Sequence, residues 1–397
     1  MNKDLTGIQN CLANVAVAQA NSRGRLHPEP DAETRNAYQR DRDRIIHSSA
    51  FRRLKYKTQV FVYHEGDNYR TRLSHSLEVA QIARSMSRFL GLNEDLAEAL
   101  ALAHDLGHTC FGHAGEDALK ACMEGFNGFD HNAQALRILT KLERRYPTFD
   151  GLNLTWETLE GLVKHNGPMI VGGEDSDIPL AIQEYVAEHD LELNLYASEE
   201  AQVAAVADDI AYNAHDIDDG LTANLFSLES LKTVPHVGPI VDEVEREYPD
   251  LDESRRVHEI VRRQIGSMVN DVIVESGERY TRLKPQNLAD VHGLQGSLVG
   301  FSVEMENNDK ALKNFLFPNM YRHQRVVRMS DEAKRVVRDL FELLHCDPDQ
   351  LPANWQVNMD GPGGVKTARR VADYIAGMTD RFALKEHGRL FLEPLVS

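Results

Sequence analysis

The sequence has no uninterrupted apolar run long enough to cross a bilayer, so no helical membrane span is expected. Its opening, Met1-Asn-Lys-Asp-Leu-Thr6, lacks a charged head followed by an apolar stretch, and no secretory signal is read there. Cysteine is scarce. Cys11, Cys110, Cys122 and Cys346 are scattered, without the paired spacing of a thiolate zinc site. Free thiols in a reducing compartment are expected, hence a cytoplasmic protein. Positive charge is also in deficit: 44 Lys and Arg stand against 62 Asp and Glu, for a formal net charge of −18. Nucleic acid is therefore not indicated as a partner, because non-specific binding rests on a basic surface. An anionic substrate would not be steered by the molecule as a whole, although a local basic pocket stays open. Strand signals are sparse, and neither an internal repeat nor a low-complexity tract is present.

What is abundant is helical periodicity. The 397 residues, 42% hydrophobic and 27% charged, are ordinary for a globular chain able to bury a core. Residues 1–30 are weakly periodic and are expected to form a loosely attached arm. Thr58 to Tyr63 alternates and is rich in β-branched and aromatic residues, and His64-Glu-Gly-Asp-Asn68 reads as a turn, so at most a short β-hairpin is predicted there. Ser74 to Leu90 reads as a helix capped by Gly91, and Asn93 to Ala103 as the next, with Asn93 at its N-cap. Further helices are predicted over 116–125, 131–142, 156–165, 198–219 (ended by Gly220), 255–274, 309–315, 330–345 and 365–379. Tyr280 to Gln286 reads as irregular, and Val171-Gly-Gly-Glu-Asp-Ser-Asp177 as an exposed excursion. The fold class is all-α, in a single domain from residue 31 to 397.

The chain is organised around Ala99 to Glu116, where His104, Asp105, His108, His113 and Glu116 crowd together. Adjacent His104 and Asp105 diverge on a regular helix, so both can bind one ion only where the helix ends, and Gly107 supplies that opportunity. His75 lies upstream on an apolar helical face, and Asp208 or Asp209 downstream. Two imidazoles and two carboxylates make a mixed N/O site suited to a divalent metal rather than a thiolate centre, and the ligand set does not choose among Mn, Mg, Fe, Zn and Ni. His113 and Glu116 are three apart, so on a helix the carboxylate can orient the imidazole. Arg52, Arg53, Lys55, Lys57, Arg70 and Arg72 form a basic cluster in an acidic chain, and Arg72 lies one turn before His75.

The order His…His-Asp…Asp resembles the HD superfamily of metal-dependent phosphohydrolases. Four blocks narrow it: Arg72-Leu-Ser-His75, His104-Asp-Leu-Gly-His108-Thr-Cys-Phe-Gly-His113, Ala207-Asp-Asp-Ile-Ala-Tyr212 and Asp373-Tyr-Ile-Ala-Gly-Met-Thr-Asp-Arg-Phe382. Together they resemble the bacterial dGTPase-like deoxynucleoside triphosphate triphosphohydrolases, from about Asp41 to Phe391. The resemblance implies an HD core over about 70–220, a helical remainder over 221–397, and a homo-oligomer. It implies hydrolysis of a deoxynucleoside triphosphate to deoxynucleoside and inorganic triphosphate. It implies His75, His104, Asp105 and Asp208 as metal ligands; the family's tyrosine four residues after the ligand selects Asp208 over Asp209. It implies His113 as acid/base oriented by Glu116, with His131 on the phosphoryl oxygens or the leaving group. It implies Arg72, His108 and Lys164 facing the triphosphate, with Lys313 matching a terminal-phosphate position by count. Gln59, Asp216, Tyr212 and Tyr321 would face the sugar. Asp209 stands where some relatives carry a phosphate-binding lysine. The rival readings are an HD phosphohydrolase of nucleoside monophosphates or cyclic nucleotides, and a silent nucleotide sensor or single-strand-binding module.

Overall fold

The computed structural model describes residues 7–59, 70–171 and 178–391. Among them there are helices and three isolated β-bridges but no strand. The helices that build the site are α1 (Ala37–Ile46), α2 (Arg72–Leu90), α3 (Glu94–Ala103), α4 (Gly112–Cys122), α5 (His131–Arg137), α6 (Trp156–Val163), α7 (Glu199–Thr222), α8 (Glu253–Leu283), α9 (Val303–Leu316), α10 (Gln324–Cys346), α11 (Val365–Ala376) and α12 (Asp380–Phe391). No helix of the described residues is long and apolar enough to cross a membrane.

The central helices start and stop where local chemistry dictates. Thr71 and Ser74 form a capping box at the start of α2, and Gly91 ends it at φ 84°, a conformation that costs glycine little. The Asn93 side chain accepts from the Leu96 N–H to cap α3. The Ala/Leu face of α3 is buried throughout, packed between α2, α6 and α7 in the largest of three apolar clusters. A second cluster joins α4 to α10, α11 and α12, and a third joins the end of α7 to α8 and α9. The chain passes from the first cluster to the second between Leu106 and Cys110.

Several expectations are corrected. The arm is not loose over its described part: Leu12 and Val15 are fully buried, and Leu12 N–H donates to the Leu90 carbonyl. Buried Glu200 explains this docking, since its carboxylate accepts from the Val17 and Asn93 N–H groups. Gly220 does not stop α7, which runs to Thr222; it is glycine because a Cβ there would lie 2.3 Å from the Phe226 ring. Tyr280 is not irregular, because α8 continues to Leu283 and ends at Lys284 in the left-handed conformation. The last predicted helix, 365–379, is α11 and stops at Ala376, and a further helix, α12, follows beyond the predicted span. Of the predicted hairpin, the described residues retain one antiparallel bridge, Thr58 to Thr71; residues 60–69 lie outside them, as do residues 172–177 of the predicted excursion.

Candidate active site

Helix α3 stops at Ala103, and His104–Gly107 continues as one 3₁₀ turn. That break brings His104 and Asp105 to one centre, although neighbours on an α-helix point about 100° apart. Gly107 is required by close approach: a Cβ would sit 1.9 Å from the His131 carbonyl oxygen and 2.4 Å from the Ala135 nitrogen. His75, on the inner face of α2, places Nε2 2.8 Å from Asp208 Oδ1 and 4.0 Å from Asp105 Oδ2. His104 Nε2 lies 3.5 Å from the same Asp208 oxygen and 3.6 Å from Asp105 Oδ1.

The donor set fits a divalent cation. His104 Nε2 and Asp105 Oδ2 are buried and have no hydrogen-bond partner among the described residues, a costly arrangement unless something else occupies the centre. The tautomers that follow from the hydrogen-bond network aim lone pairs inward. His104 Nδ1 donates to the Ala101 carbonyl at 2.6 Å, which leaves Nε2 unprotonated. Glu78 contacts His215 Nε2, so His215 Nδ1 can accept from His75 Nδ1 at 3.0 Å and His75 Nε2 is likewise left free. Burial opposes charge on His104, yet the Asp105 and Asp208 carboxylates push its pKa up to about 9: the field at the centre favours a positive charge.

Beside the centre, Arg72 is almost fully buried and its NH1 pairs with Asp105 Oδ1 at 2.8 Å, while its Nε and NH2 have no partner among the described residues. His108 Nε2 is 3.3 Å from the same oxygen. Burial first, then the charges of Arg72 and His131, hold His108 well below its usual range, so it is neutral. His131 Nδ1 bonds Glu116 Oε1 at 2.8 Å. Burial opposes its charge, but this bond raises the His131 pKa, and Glu116 is held far below the carboxylate range.

A cleft opens beside these groups, lined by Gln59, Phe111, His113, Tyr212, Tyr321 and, from α10, Met329 among others. The Tyr321 hydroxyl rests on the Asp216 carboxyl and lies 3.2 Å from the Tyr212 hydroxyl. One hydroxyl proton cannot serve both. Burial pushes Asp216 up to about 8, so a protonated Asp216 can donate to Tyr321 and Tyr321 to Tyr212. Gln59 Oε1 and Asp216 Oδ1 are buried with no partner among the described residues.

The HD domain family matches residues 72–213, and the phosphohydrolase-associated domain matches residues 299–389. A deoxyguanosinetriphosphate triphosphohydrolase-like protein of Parvibaculum lavamentivorans is 63% identical over 380 residues, 96% of each chain. Like-named proteins of Brucella anthropi (57% identical, covering 96% of this chain and 95% of its own) and Azorhizobium caulinodans (57%, covering 93% and 94%) are similar over nearly the same span. The chain belongs to this HD-domain, dGTPase-like family.

Within the dGTPase-like chain, most of the expected site residues converge, and some do not. Lys164 turns inward rather than toward the cluster: it ends α6 in a fully buried ion pair with Glu160 at 2.8 Å, four residues back. Its neighbour His165, which the sequence reading missed, takes that position, with Nε2 3.4 Å from Asp208 Oδ2 and its ring stacked on His104. Glu116 pairs more closely with His131 than with His113, which is 3.8 Å away, 59% exposed at its side chain, and in the first turn of α4. Lys313 is tied to Asp209 at 3.0 Å and Asp309 at 2.9 Å, not open to a phosphate. His215 behind His75 was also missed, while Lys57 of the basic cluster and Asp380 of the fourth block lie behind the loop that carries His108 and Phe111.

Proposed function

We propose that the chain hydrolyses deoxynucleoside 5′-triphosphates at the α-phosphorus, releasing a deoxynucleoside and inorganic triphosphate. The observation that carries this reading is the continuity of three groups: the His75–His104–Asp105–Asp208 cluster, the Glu116–His131 pair, and a cleft walled by Gln59, Tyr212 and Tyr321. Names of relatives over 57% to 63% identity support the substrate class.

His75, His104, Asp105 and Asp208 would hold the divalent metal, which when bound polarises the α-phosphate and lowers the pKa of water. Arg72 brings a guanidinium edge, its NH2 and Nε without a partner among the described residues, to phosphoryl oxygens. His131, whose pKa the bond to Glu116 raises against burial, donates to the triphosphate moiety and offsets charge that develops there. His113, on the cleft wall, is assigned to protonate the 5′-oxygen as the Pα–O5′ bond breaks. Gln59 and Asp216 hold the 3′-hydroxyl, and the two tyrosines pack against the sugar. The base extends along the apolar wall formed by Phe111, Val326, Met329 and Ala333.

The test is a panel of deoxynucleoside and ribonucleoside triphosphates, nucleoside monophosphates and cyclic nucleotides, incubated with each of Mn²⁺, Mg²⁺, Fe²⁺, Zn²⁺ and Ni²⁺ and separated by ion exchange. Release of intact triphosphate is expected. Orthophosphate or pyrophosphate from the triphosphates, or turnover confined to mono- or cyclic nucleotides, rejects the reading. Binding without turnover for every metal would point to a sensor.

A further inference from the structure

The loop from His108 to Gly112 joins the turn that carries His104 and Asp105 to the helix that carries His113 and Glu116. Its backbone is under tension. Phe111 adopts φ 62°, a left-handed conformation that strains a residue with a side chain, and Gly112 follows at φ 57°. Two successive left-handed residues reverse the chain just before His113. Such a conformation persists only where its surroundings over-determine it.

The restraint comes from the far end of the chain. Asp380, the first residue of α12, is completely buried. Its Oδ1 accepts the Phe111 N–H at 2.8 Å. Its Oδ2 accepts the Thr58 N–H at 3.0 Å and contacts the Thr58 hydroxyl. One carboxylate thereby ties the strained residue to the segment that presents Gln59. Alongside it, buried Lys57 donates from Nζ to the His108 carbonyl at 2.5 Å and the Ala376 carbonyl at 2.8 Å. The loop is thus gripped at Phe111 by a carboxyl of α12 and at His108 by an amine that also holds the last residue of α11.

We infer that Asp380, through Thr58 and Phe111, is a positioning residue for the reaction: it fixes the relative placement of His113 and Gln59 without touching substrate. Two backbone N–H groups and a hydroxyl converge on this side chain, and each of its two oxygens accepts one of the N–H groups. Asparagine must turn an NH₂ group toward one of the two backbone N–H groups. This inference rests on the proposed hydrolase reading for its kinetic arm only.

The experiment compares Asp380→Asn, Thr58→Val and Thr58→Ser in the full chain, with the substrate and metal that the product panel identifies. Asp380→Asn and Thr58→Val are expected to lower kcat by about tenfold or more, the scale of sub-ångström to ångström misplacement, with KM and bound metal within about twofold of the parent. Thr58→Ser, which restores the hydroxyl, is expected to return kcat to within about twofold of the parent. Deuterium uptake of the peptide covering 108–113 is measured in parallel and needs no activity. It should speed up in Asp380→Asn while peptides from α2 and α3 keep the parent rate. Unchanged kcat, a loss that tracks metal content or melting temperature, or failure of Thr58→Ser to recover overturns the inference. If no substrate is turned over, the hydrolase reading fails, and unchanged uptake in 108–113 separately overturns the clamp.

Discussion

The Nδ1 atoms of His75 and His215 lie 3.0 Å apart, and the far nitrogen of the His215 ring meets Glu78. His215 thereby fixes both the ring plane and the tautomer of a proposed metal ligand. Outer partners of ligating histidines typically matter by about 10- to 100-fold in metal affinity. His215→Phe, which keeps the bulk and loses the lone pair, should weaken Mn²⁺ binding by about that factor in titration calorimetry on metal-stripped protein. Equal affinities would show that His75 is oriented by packing alone.

Asp208 and Asp209 are neighbours with opposite surroundings. Asp208 faces three histidines, whereas Asp209 is paired with Lys313. Asp208→Ala should abolish bound metal and turnover, and Asp209→Ala should keep the metal. Elemental analysis of the purified variants decides between them, and the reverse result would move the ligand to Asp209.

The carboxylate of Glu116 serves His131 first. Glu116→Gln removes the carboxylate that raises the His131 pKa, so its kcat should fall by about 10²-fold and the double variant with His131→Ala should be little worse. His113→Ala should also lose about 10²-fold while retaining metal. Losses at Glu116 and His131 that multiply would mean that the two act independently.

Tyr212 and Tyr321 wall the cleft where the sugar is proposed to sit. A 2′-hydroxyl there would be unpaired and crowded, at a cost of about 1–3 kcal/mol. The ratio of kcat/KM for dGTP over GTP should therefore reach roughly 10- to 100-fold. Tyr321→Ala and Tyr212→Ala should narrow it, and Gln59→Ala should instead weaken discrimination against ddGTP. An unmodified protein that turns over dGTP and GTP alike removes the steric gate.

Asp216 makes stability depend on pH. Its folded pKa, about 8, lies above the unfolded carboxylate value, so the native state binds more protons than the unfolded state from about pH 4 to 8. The contribution is fully present below the unfolded pKa and is lost as pH rises through about 8. Relative to the parent, Asp216→Asn should gain up to about 1.4 kcal/mol per pH unit across that window and then level off. Urea titrations at pH 5, 6, 7 and 8 read the difference directly; parallel curves would place Asp216 in a wetter site.

Local signals carried much of the fold. The Thr71 box, Gly91 and Asn93 act within a few residues of themselves, and α2 and α3 begin and end where such signals say. The His104–Asp105 break was legible for the same reason, since Gly107 lies two residues on. Residues that failed are those whose partners are far away in sequence. Asp380 reaches back 322 positions to Thr58, and no periodicity announces that. Glu116 was matched to His113 by helical spacing, but the loop to α5 brings in a better partner fifteen residues on. Lys164 and His165 exchanged roles because α6 unwinds at Lys164, and which of two adjacent side chains then turns inward depends on that one residue's dihedrals.

The docked N-terminal segment sets a constraint on biosynthesis. Residues 8–25 leave the ribosome before every surface they settle on. Leu12 waits for Leu90, Ser22 for Glu157, Val17 for Glu200, and Ile8 for the neighbourhood of Gly277. Leu12 must therefore stay exposed until Leu90 is made and Val17 until Glu200 is, a window in which apolar segments are prone to aggregate or engage chaperones. The long sequence separations favour slow, late closure, so the last step in completing the core should belong to its earliest-made piece.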